Sequence, residues 1–346
     1  MIPPFSRLRP LMAALLLALV GAPALAAERT ERIERYGDRP EARQFIEDMV
    51  NRHGFDREAL SYIFQRAQYQ PSVIKAISPP PSNTPGVRSW QRYRSRFVEP
   101  IRIKAGLAFW DRYQPWISAA SQQYGVPEEI IVAILGVETI FGRNTGNYQV
   151  VSALSTLAFD YPRRAELFRG ELESLLLLAR EQNRDPLNYQ GSYAGAMGLP
   201  QFLPSSIRNF AVDFDGDGQI DLQNSPQDAI GSVAHYMQVH GWVADLPVAV
   251  RARIAPGAQL DELLANDINP SFSAAELAQR GVQAANDAPL ADKQALIELT
   301  TPGESPEYWL GSQNFYVITR YNRSSFYAMS VFQLGEAVKA ARAARR

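Results

Sequence analysis

One stretch of the sequence decides the fold: Pro127-Glu128-Glu129-Ile130-Ile131-Val132-Ala133-Ile134-Leu135-Gly136-Val137-Glu138. Proline suits the first turn of a helix, and the two acidic residues that follow complement the positive end of the helix dipole. The next eight residues are almost entirely apolar, so no side of the helix is suited to water. The stretch therefore predicts a helix buried in the core of a mainly helical domain.

Glu138 ends this stretch on an apolar face, because it follows Ile131 by seven residues and Ile134 by four. Burial of an ionised carboxylate without a partner costs several kcal/mol, so such a group tends to stay protonated with a raised pKa. A carboxylic acid that keeps its proton near neutrality can act as the general acid in glycoside cleavage. The segment alone leaves a second interpretation open, in which Glu138 reaches water or pairs with Arg143.

Composition restricts the chemistry that the chain can perform. The 346 residues carry 35 Lys+Arg against 36 Asp+Glu, and a net charge of -1 argues against a nucleic-acid-binding protein. The chain has no cysteine, which excludes disulfides, iron–sulfur clusters, a thiol nucleophile and a lipid-modified cysteine. The three histidines have no i,i+4 pair, which argues against a histidine-rich zinc site. Any catalysis must therefore rely mainly on carboxylate and amide side chains.

The first 26 residues have the pattern of an export signal. Arg7 and Arg9 precede an apolar run at 11–20, and Ala24-Leu25-Ala26 fits a cleavage site for small residues. We therefore predict cleavage near Ala26 and a periplasmic protein that is not a lipoprotein and has no membrane anchor. The alternative is an N-terminal helix that stays attached.

Helical periodicity covers residues 40–76 and 101–178, and helices are also predicted for 228–240 and 325–346. Residues 189–228 are rich in Gly, Pro, Ser and Asp and are predicted to be loops with short helices. Residues 248–254 alternate like a strand, and 295–301 are a candidate second strand, which predicts a small inserted β subdomain. The predicted divisions are a signal peptide (1–26), a helical region (27–104), a catalytic core (105–242), the β subdomain (243–304) and a C-terminal segment (305–346).

Residues 88–96 hold four arginines with Trp90 and Tyr93 between them. Such a segment can form a face that contacts anions or glycans. It can also be a solvated helix face whose aromatic side chains point inward, and this second interpretation is the one we favour.

Four separated motifs, in one order, resemble those of the lytic murein transglycosylase B family. They are Glu138-Thr139-Ile140-Phe141-Gly142-Arg143-Asn144-Thr145-Gly146, Phe159-Asp160-Tyr161-Pro162-Arg163-Arg164, Gly195-Ala196-Met197-Gly198-Leu199-Pro200-Gln201-Phe202-Leu203-Pro204-Ser205 and Asn314-Phe315-Tyr316-Val317-Ile318-Thr319-Arg320-Tyr321-Asn322. The resemblance runs from about residue 40 to residue 337. It implies a mainly α (α+β) fold with a lysozyme-like catalytic core, an N-terminal helical region and a C-terminal segment that completes the substrate groove.

The implied activity is that of a peptidoglycan lytic transglycosylase. Such an enzyme cleaves the β-1,4 bond between N-acetylmuramic acid and N-acetylglucosamine without water and leaves 1,6-anhydromuramoyl ends, with Glu138 as acid and then base. One alternative is a hydrolytic lysozyme in which a second carboxylate, such as Asp160, takes part, although Asp160 fits a turn or cap better. Another is a non-catalytic, calcium-dependent peptidoglycan-binding protein.

The motif around Gly195 and Gly198 suits a substrate groove, because glycine lets backbone approach a flat ligand closely. A tight packing turn is the alternative. Met197 and Phe202 can supply an apolar floor, and Gln201 offers one acceptor and two donors. The resemblance implies saccharide contacts from Ser192, Met197, Gln201, Tyr236, Tyr316, Tyr321 and Asn322.

Not all of these side chains need face the substrate. The tyrosines can equally be core residues with satisfied hydroxyls. Arg163 and Arg164 are expected to face acidic lactyl or stem-peptide groups, or to pair with Glu166 or Glu171.

Residues 213–224 follow the pattern of an EF-hand calcium loop, with carboxylates at positions 1, 3, 5 and 9 and glycine at 6. Asn224 stands at position 12, where a glutamate is usual, and Asp228 is a candidate to replace it. The alternative is a surface loop rich in Asx turns. We predict a structural Ca²⁺, with no organic cofactor, held by Asp213, Asp215, Asp217, the backbone carbonyl of Gln219, Asp221 and Asp228.

The expected partner is the peptidoglycan glycan strand, with no nucleic acid. We expect a monomer, and the family suggests contacts with cell-wall synthesis enzymes.

Overall fold

The structure is a computed structural model that describes residues 35–78 and 88–345. The predicted signal peptide (1–26) and the proline-rich break at 79–86 lie outside these residues. The described part of the chain contains fourteen α-helices: α1 (Pro40–His53), α2 (Arg57–Phe64), α3 (Pro71–Ile77), α4 (Trp90–Arg94), α5 (Pro100–Tyr124), α6 (Glu128–Thr139), α7 (Val150–Asp160), α8 (Ala165–Glu181), α9 (Pro204–Phe210), α10 (Pro226–Val239), α11 (Asp261–Ala265), α12 (Ala274–Gln279), α13 (Gln313–Tyr321) and α14 (Ser325–Ala343). Short 3-10 helices lie at Tyr36–Asp38, Pro162–Arg164, Pro186–Asn188 and Ala285–Asp287.

Within the described residues, two antiparallel sheets accompany the helices. The smaller one pairs β1 (Tyr148–Gln149) with β2 (Gln190–Gly191), and it joins two loops that the sequence did not predict to pair. The larger sheet has the order β4-β3-β6-β5, formed by β3 (Ala249–Ile254), β4 (Val282–Ala284), β5 (Ala295–Leu299) and β6 (Glu307–Gly311).

Helix α6 is the centre of the main hydrophobic core. Every residue from Ile130 to Leu135 is buried, and α5, α10 and α14 pack around the helix. A helix whose whole circumference is apolar has to be enclosed in this way, since no side of it can face water favourably. The prediction of a buried helix here is confirmed.

The two strands predicted from the sequence are present as β3 and β5. Their sheet has its own apolar cluster, which includes Leu263, Leu277, Val282 and Leu310. The expected boundary at residue 304 is wrong, because β6 lies beyond it and pairs with both β3 and β5. Residues 307–311 do not alternate strictly between polar and apolar residues, so the period-two signal of a half-buried strand is missing there.

The last helix returns to the first core elements. Helix α14 packs against α5 and α6 and carries buried residues from Tyr327 to Val338. None of the helices within 35–78 and 88–345 is long and apolar enough to cross a membrane.

Candidate active site

Helix α6 stops one residue after Glu138 because the chain turns into left-handed backbone. Ile140 and Phe141 have φ of 52° and 58°, and their N–H groups donate to the carbonyls of Gly136 and Leu135 at 3.2 and 3.1 Å. A left-handed conformation costs an L-residue about 1–2 kcal/mol. Packing offsets part of this cost, since the Phe141 ring stacks on Phe109 with the centroids 5.0 Å apart. Glu138 thereby lies in the last turn, at the negative end of the helix dipole.

Glu138 is in an environment that favours its protonated form. Burial raises the pKa of Glu138 to about 7, and a hydrogen bond from the Tyr327 hydroxyl to Oε1, 2.5 Å long, opposes part of the rise. Arg143 is exposed, and the described residues show no ion pair between it and Glu138. The interpretation in which Glu138 pairs with Arg143 is therefore wrong. An acid with this pKa keeps much of its proton at neutral pH.

Tyr327 is a site residue that the sequence analysis missed. It is only 3% exposed in the first turn of α14, and burial and the charge of Glu138 raise its pKa well above the usual range. Its ring stacks on Tyr321 with the centroids 6.4 Å apart. The sequence does contain a signal for Tyr327, because a tyrosine within an apolar helix is expected to be buried and a buried phenol needs a hydrogen-bond partner. The sequence does not identify that partner as Glu138.

The turn at 195–201 lies beside the end of α6. The Thr139 hydroxyl donates to the carbonyl oxygen of Leu199 at 2.9 Å and accepts from the Gly142 N–H at 2.9 Å. The Tyr321 hydroxyl donates to the carbonyl oxygen of Pro200 at 2.7 Å. Because Thr139 is the residue next to Glu138, its hydrogen bond to Leu199 holds the turn close to Glu138.

The glycines of this turn serve the packing of the protein itself. Gly195 and Gly198 have φ of 87° and 70°, and a Cβ on them would lie 2.5 Å from a Leu154 methyl carbon and 2.4 Å from the Leu222 carbonyl oxygen, respectively. Both positions thus need glycine for conformation and for space. The expectation that they open the backbone to a ligand is corrected here in favour of a tight packing turn.

Gln201 has fewer free hydrogen-bonding groups, and Met197 has less exposed surface, than the sequence suggested for substrate contacts. The Gln201 Nε2 group donates to the carbonyl oxygens of Thr145 and Gly198 at 3.1 and 3.0 Å, so Oε1 is the part of the amide left without a protein partner among the described residues. Met197 is 4% exposed, pairs with Phe202 through two backbone hydrogen bonds and lines a cavity of about 180 Å³.

Most of the predicted saccharide contacts have protein partners of their own. The Tyr236 hydroxyl donates to the carbonyl oxygen of Arg320 at 2.8 Å, and its ring stacks on His240 with the centroids 3.9 Å apart. The Tyr316 hydroxyl accepts from the Arg320 guanidinium at 3.2 Å. The Ser192 hydroxyl oxygen accepts two backbone N–H groups at 3.0 and 3.3 Å. Asn322 is exposed just after α13.

Arg163 and Arg164 are exposed, and the described residues contain no ion pair between them and Glu166 or Glu171. The guanidinium of Arg164 lies over the Phe168 ring, 5.5 Å from its centroid. Glu171 instead accepts the backbone N–H and the hydroxyl of Ser205 at 3.0 and 2.6 Å. The alternative in which these arginines pair with Glu166 or Glu171 is therefore wrong.

Asp160 is held by structural partners. Its two carboxylate oxygens accept from the Tyr36 hydroxyl at 2.5 Å and from the Arg39 guanidinium at 2.6 Å. The residue ends α7 and attaches it to the N-terminal region, as a turn or cap residue would.

The acidic loop brings three carboxylates together. Oxygens of Asp213, Asp215 and Asp217 lie within 4.8 Å of one another, a spacing that a hard cation with oxygen ligands can bridge. Asp221 and Asp228 lie outside this cluster. Asp228, 1% exposed, accepts the N–H groups of Phe214 and Asp221 at 2.8 Å each, so its carboxylate connects the two ends of the loop. The three clustered side chains fit a calcium site.

The buried acid at the end of a helix in a mainly α fold, beside a turn rich in glycine, is the arrangement expected of a lysozyme-like enzyme that acts on glycans. The sequence profile of the transglycosylase SLT domain matches residues 37–336, and the chain belongs to this family. It is an enzyme, a lytic murein transglycosylase, which confirms the resemblance seen in the sequence. The prediction of a mainly α, lysozyme-like fold is confirmed as well.

Two relatives illustrate the similarity. The membrane-bound lytic murein transglycosylase B of Escherichia coli is 47% identical over 318 residues, which cover 89% of this chain and 85% of that protein. The structure of the catenated lytic transglycosylase SltB1 from Pseudomonas aeruginosa is 47% identical and matches with a TM-score of 0.81, over 89% of this chain and 99% of the other.

Two further structures contain bound groups. The Escherichia coli lytic transglycosylase Slt35 in complex with calcium is 45% identical, with a TM-score of 0.77, over 91% of this chain and 98% of that one. The SltB3 structure from Pseudomonas aeruginosa in complex with NAG-anhNAM-pentapeptide is 30% identical, with a TM-score of 0.75, over 86% of this chain and 79% of the other.

Proposed function

We propose that this enzyme cleaves the β-1,4 bond between N-acetylmuramic acid and N-acetylglucosamine without water and forms 1,6-anhydromuramoyl ends, with Glu138 as the single catalytic acid and base. The bound NAG-anhNAM-pentapeptide of SltB3 supports this substrate and product. The proposed saccharide contacts remain Ser192, Met197, Gln201, Tyr236, Tyr316, Tyr321 and Asn322, with Arg163 and Arg164 toward acidic groups. For Gln201 we propose the free Oε1 as the contacting atom.

Every bond and proton change in the proposed reaction involves only the glycan and the Glu138 carboxyl group. The proton of Glu138 moves to the glycosidic oxygen, the bond from C1 to that oxygen breaks, and the N-acetylglucosamine leaves with a hydroxyl. The Glu138 carboxylate then takes the proton of the muramoyl C6 hydroxyl, whose oxygen bonds to C1. Glu138 is protonated again at the end, and no water is consumed.

The observation that carries the proposal is the pKa of Glu138, near 7. A group that must donate a proton and then accept one works best when its pKa lies near the operating pH. Tyr327 supports the first step, because its hydroxyl donates to the carboxylate that forms once the proton has left.

The surroundings of Glu138 favour this mechanism over hydrolysis. Among the described residues, the raised pKa of Glu138 arises from burial and not from the charge of a second acid. Asp160, the candidate for a second catalytic carboxylate, is held by Tyr36 and Arg39. A hydrolytic mechanism needs a carboxylate that is free to activate water or to attack the sugar.

Mass spectrometry of digested peptidoglycan tests the proposal, with Glu138→Gln and Asp160→Asn as the two variants. We expect anhydromuropeptides from the wild type, none from Glu138→Gln, and the same anhydro products from folded Asp160→Asn. Reducing ends that carry an added water would contradict the transglycosylase and favour hydrolysis. A wild type that binds peptidoglycan but releases nothing would favour a non-catalytic, calcium-dependent binding protein.

We also propose a structural Ca²⁺ in the loop 213–228, supported by the carboxylate cluster and by the calcium complex of Slt35. Asp213, Asp215 and Asp217 would hold the ion with the backbone carbonyl of Gln219, while Asp221 and Asp228 organise the loop. The ion would stabilise the loop and take no part in the chemistry at Glu138. Thermal unfolding with calcium and with chelator tests this, and equal midpoints would contradict a tight site.

We propose, from the sequence signals, that the enzyme is exported to the periplasm after cleavage near Ala26 and acts there as an unanchored monomer. Cell-wall synthesis enzymes are the proposed protein partners. Cell fractionation and the N-terminal sequence of the mature protein test the export, and gel filtration tests the oligomeric state.

A further inference from the structure

The arginine-rich segment at 88–96, which contains α4, places its four arginines in two different environments. On the inner side, Trp90 is 1% exposed and packs on Phe326, with the ring centroids 5.4 Å apart. Arg94 is also turned inward, where its Nε donates to Gln333 of α14. The inward aromatic side chain agrees with the interpretation favoured from the sequence. It leaves unexplained what the other three arginines do.

Arg88, Arg92 and Arg96 line one cavity of about 350 Å³. This volume falls within the range of about 300–1,000 Å³ typical of ligand pockets. Three cations are brought together there, and the lining contains no acidic side chain; its other members are Ser89, Tyr93, Ser324 and Phe326.

The three guanidinium groups are available to a ligand. Each side chain is exposed, and none takes part in an ion pair within the described residues. Arg102, by comparison, pairs with Glu99 at 3.8 Å. Like charges that share a cavity without a counter-charge repel one another, so an anion would relieve this repulsion. Arginine is well suited to a carboxylate, because its planar fork can donate two parallel hydrogen bonds.

The cavity shares a wall with the active site. Ser324 and Phe326 line the cavity, and the next residue, Tyr327, donates its hydroxyl to Glu138. The Ser324 hydroxyl also accepts the N–H of Tyr327 at 3.3 Å. The Tyr93 ring, which also lines the cavity, packs on Phe326 with the centroids 5.6 Å apart, and burial together with the charge of Glu138 raises the pKa of Tyr93. The cavity therefore lies close to Glu138, separated from it by no more than the Tyr93, Phe326 and Tyr327 side chains.

We propose that Arg88, Arg92 and Arg96 form a carboxylate-binding subsite for the acidic stem peptide of the glycan strand that is cleaved at Glu138. This inference rests on the proposed function, because that function supplies a substrate with a peptide on its muramoyl residue. Tyr93 and Phe326 add apolar surface for the peptide chain, and Ser89 and Ser324 add hydroxyl groups. These three arginines belong to a different part of the chain from Arg163 and Arg164, which lie in a short 3-10 helix after α7.

Equilibrium binding tests the subsite without turnover. The full-length protein with Glu138→Gln is titrated by calorimetry with a muramoyl-peptide fragment, with the same fragment after amidation of its carboxylates, and with a neutral N-acetylglucosamine oligomer. We expect the further change of all three arginines to glutamine to weaken binding of the acidic fragment about 10-fold, from roughly half a kcal/mol for each exposed ion pair. Binding of the amidated fragment and of the neutral oligomer should not change.

Arg253→Gln is the matched control, because Arg253 is an exposed arginine on β3 with Gln283 as its hydrogen-bond partner. It should leave the binding of all three ligands unchanged. The three arginine changes alter exposed side chains, so the thermal midpoint should also stay the same. Added salt should reduce the advantage of the acidic fragment over the amidated one, since exposed ion pairs are screened.

A second measurement uses the enzyme with Glu138 intact. The triple arginine variant should raise KM about 10-fold for peptide-bearing murein, with kcat little changed, and should leave KM unchanged for glycan strands stripped of peptide. Equal loss on both substrates would overturn the proposal, as would unchanged binding of the acidic fragment. Binding of inorganic phosphate that depends on the arginines, without such binding of the acidic fragment, would assign the cavity to another anion and also overturn it. A wild type that makes no anhydro products would refute the proposed function, while the titration would still decide the subsite.

Discussion

Replacement of Glu138 by glutamine should stabilise the folded enzyme, and the size of the effect should depend on pH. The folded state keeps the proton of Glu138 up to a pKa of about 7, whereas the ordinary value is 4.5. Between these pH values folding takes up a proton, so the stability of the wild type falls as pH rises through this window. Below pH 4.5 both states are protonated, and the effect vanishes.

The magnitude follows from the difference between the two pKa values, about 2.5. At 1.36 kcal/mol per pKa unit, this makes the wild type about 3 kcal/mol less stable above pH 7 than it is below pH 4.5. Glutamine has no proton to lose, and its Oε1 can still accept the hydrogen bond from Tyr327. The variant should therefore gain about 3 kcal/mol over the wild type at pH 8 and almost nothing at pH 4.5, which is a rise in midpoint of roughly 5 °C at pH 8.

Denaturant unfolding of both proteins at pH 4.5, 6 and 8, with calcium at one saturating concentration, measures this. Any effect of glutamine on packing is independent of pH, so the change between pH values is the quantity to compare. Glu276→Gln is a control of opposite sign, because Ser273 and Lys293 lower the pKa of Glu276 to about 2. This change should destabilise the protein by nearly the same amount at all three pH values, since its pH dependence lies below pH 4.5. A Glu138→Gln effect equal at all three pH values would refute the claim that burial keeps this acid protonated.

Three further changes test the site. Tyr327→Phe removes the hydrogen bond that lowers the pKa of Glu138. In a pH–rate profile, the pH at which activity is lost on the alkaline side should therefore rise. An unchanged profile would contradict the role of Tyr327. Gly198→Ala places a methyl group 2.4 Å from the Leu222 carbonyl oxygen, at a residue with a positive φ. We expect denaturant unfolding to show that the free energy of unfolding falls by about 2–4 kcal/mol. An unchanged free energy of unfolding would show that the turn can relax. Asp228→Ala leaves two part-buried backbone N–H groups without their acceptor, and we expect a loss of about 2–4 kcal/mol in denaturant unfolding together with weaker calcium binding by calorimetry. Unchanged calcium affinity would contradict the role of Asp228 in organising the loop.

The catalytic candidate could be found before any coordinates because its signal is local. An acid at helical spacing from Ile131 and Ile134 has to lie on their face, whatever the rest of the chain does. The carboxylates of the acidic loop are equally local, since a loop of twelve residues brings its own side chains together. Strands β3 and β5 also carried their own signals. These features follow from helix and strand geometry alone.

The partners of these groups depended on the fold. Glu138 and Tyr327 are 189 positions apart in the chain, and only the packing of α14 against α6 brings them together. The same holds for Thr139 and Leu199, and for β6, which belongs to the sheet by its pairing and not by its pattern. Residue spacing along a helix or a strand says nothing about contacts between distant elements.

The sequence by itself determined the buried helix, the acid at its end, the acidic loop and the family. Tertiary structure decided which groups are free to meet a substrate: it attached both donors of Gln201 to backbone, placed Met197 in the core and turned Arg94 inward while three neighbouring arginines line a cavity. The physical reason is that the residue type determines only which hydrogen-bond donors, acceptors and charges a side chain has. Only the packed chain decides how many of these the protein has already used.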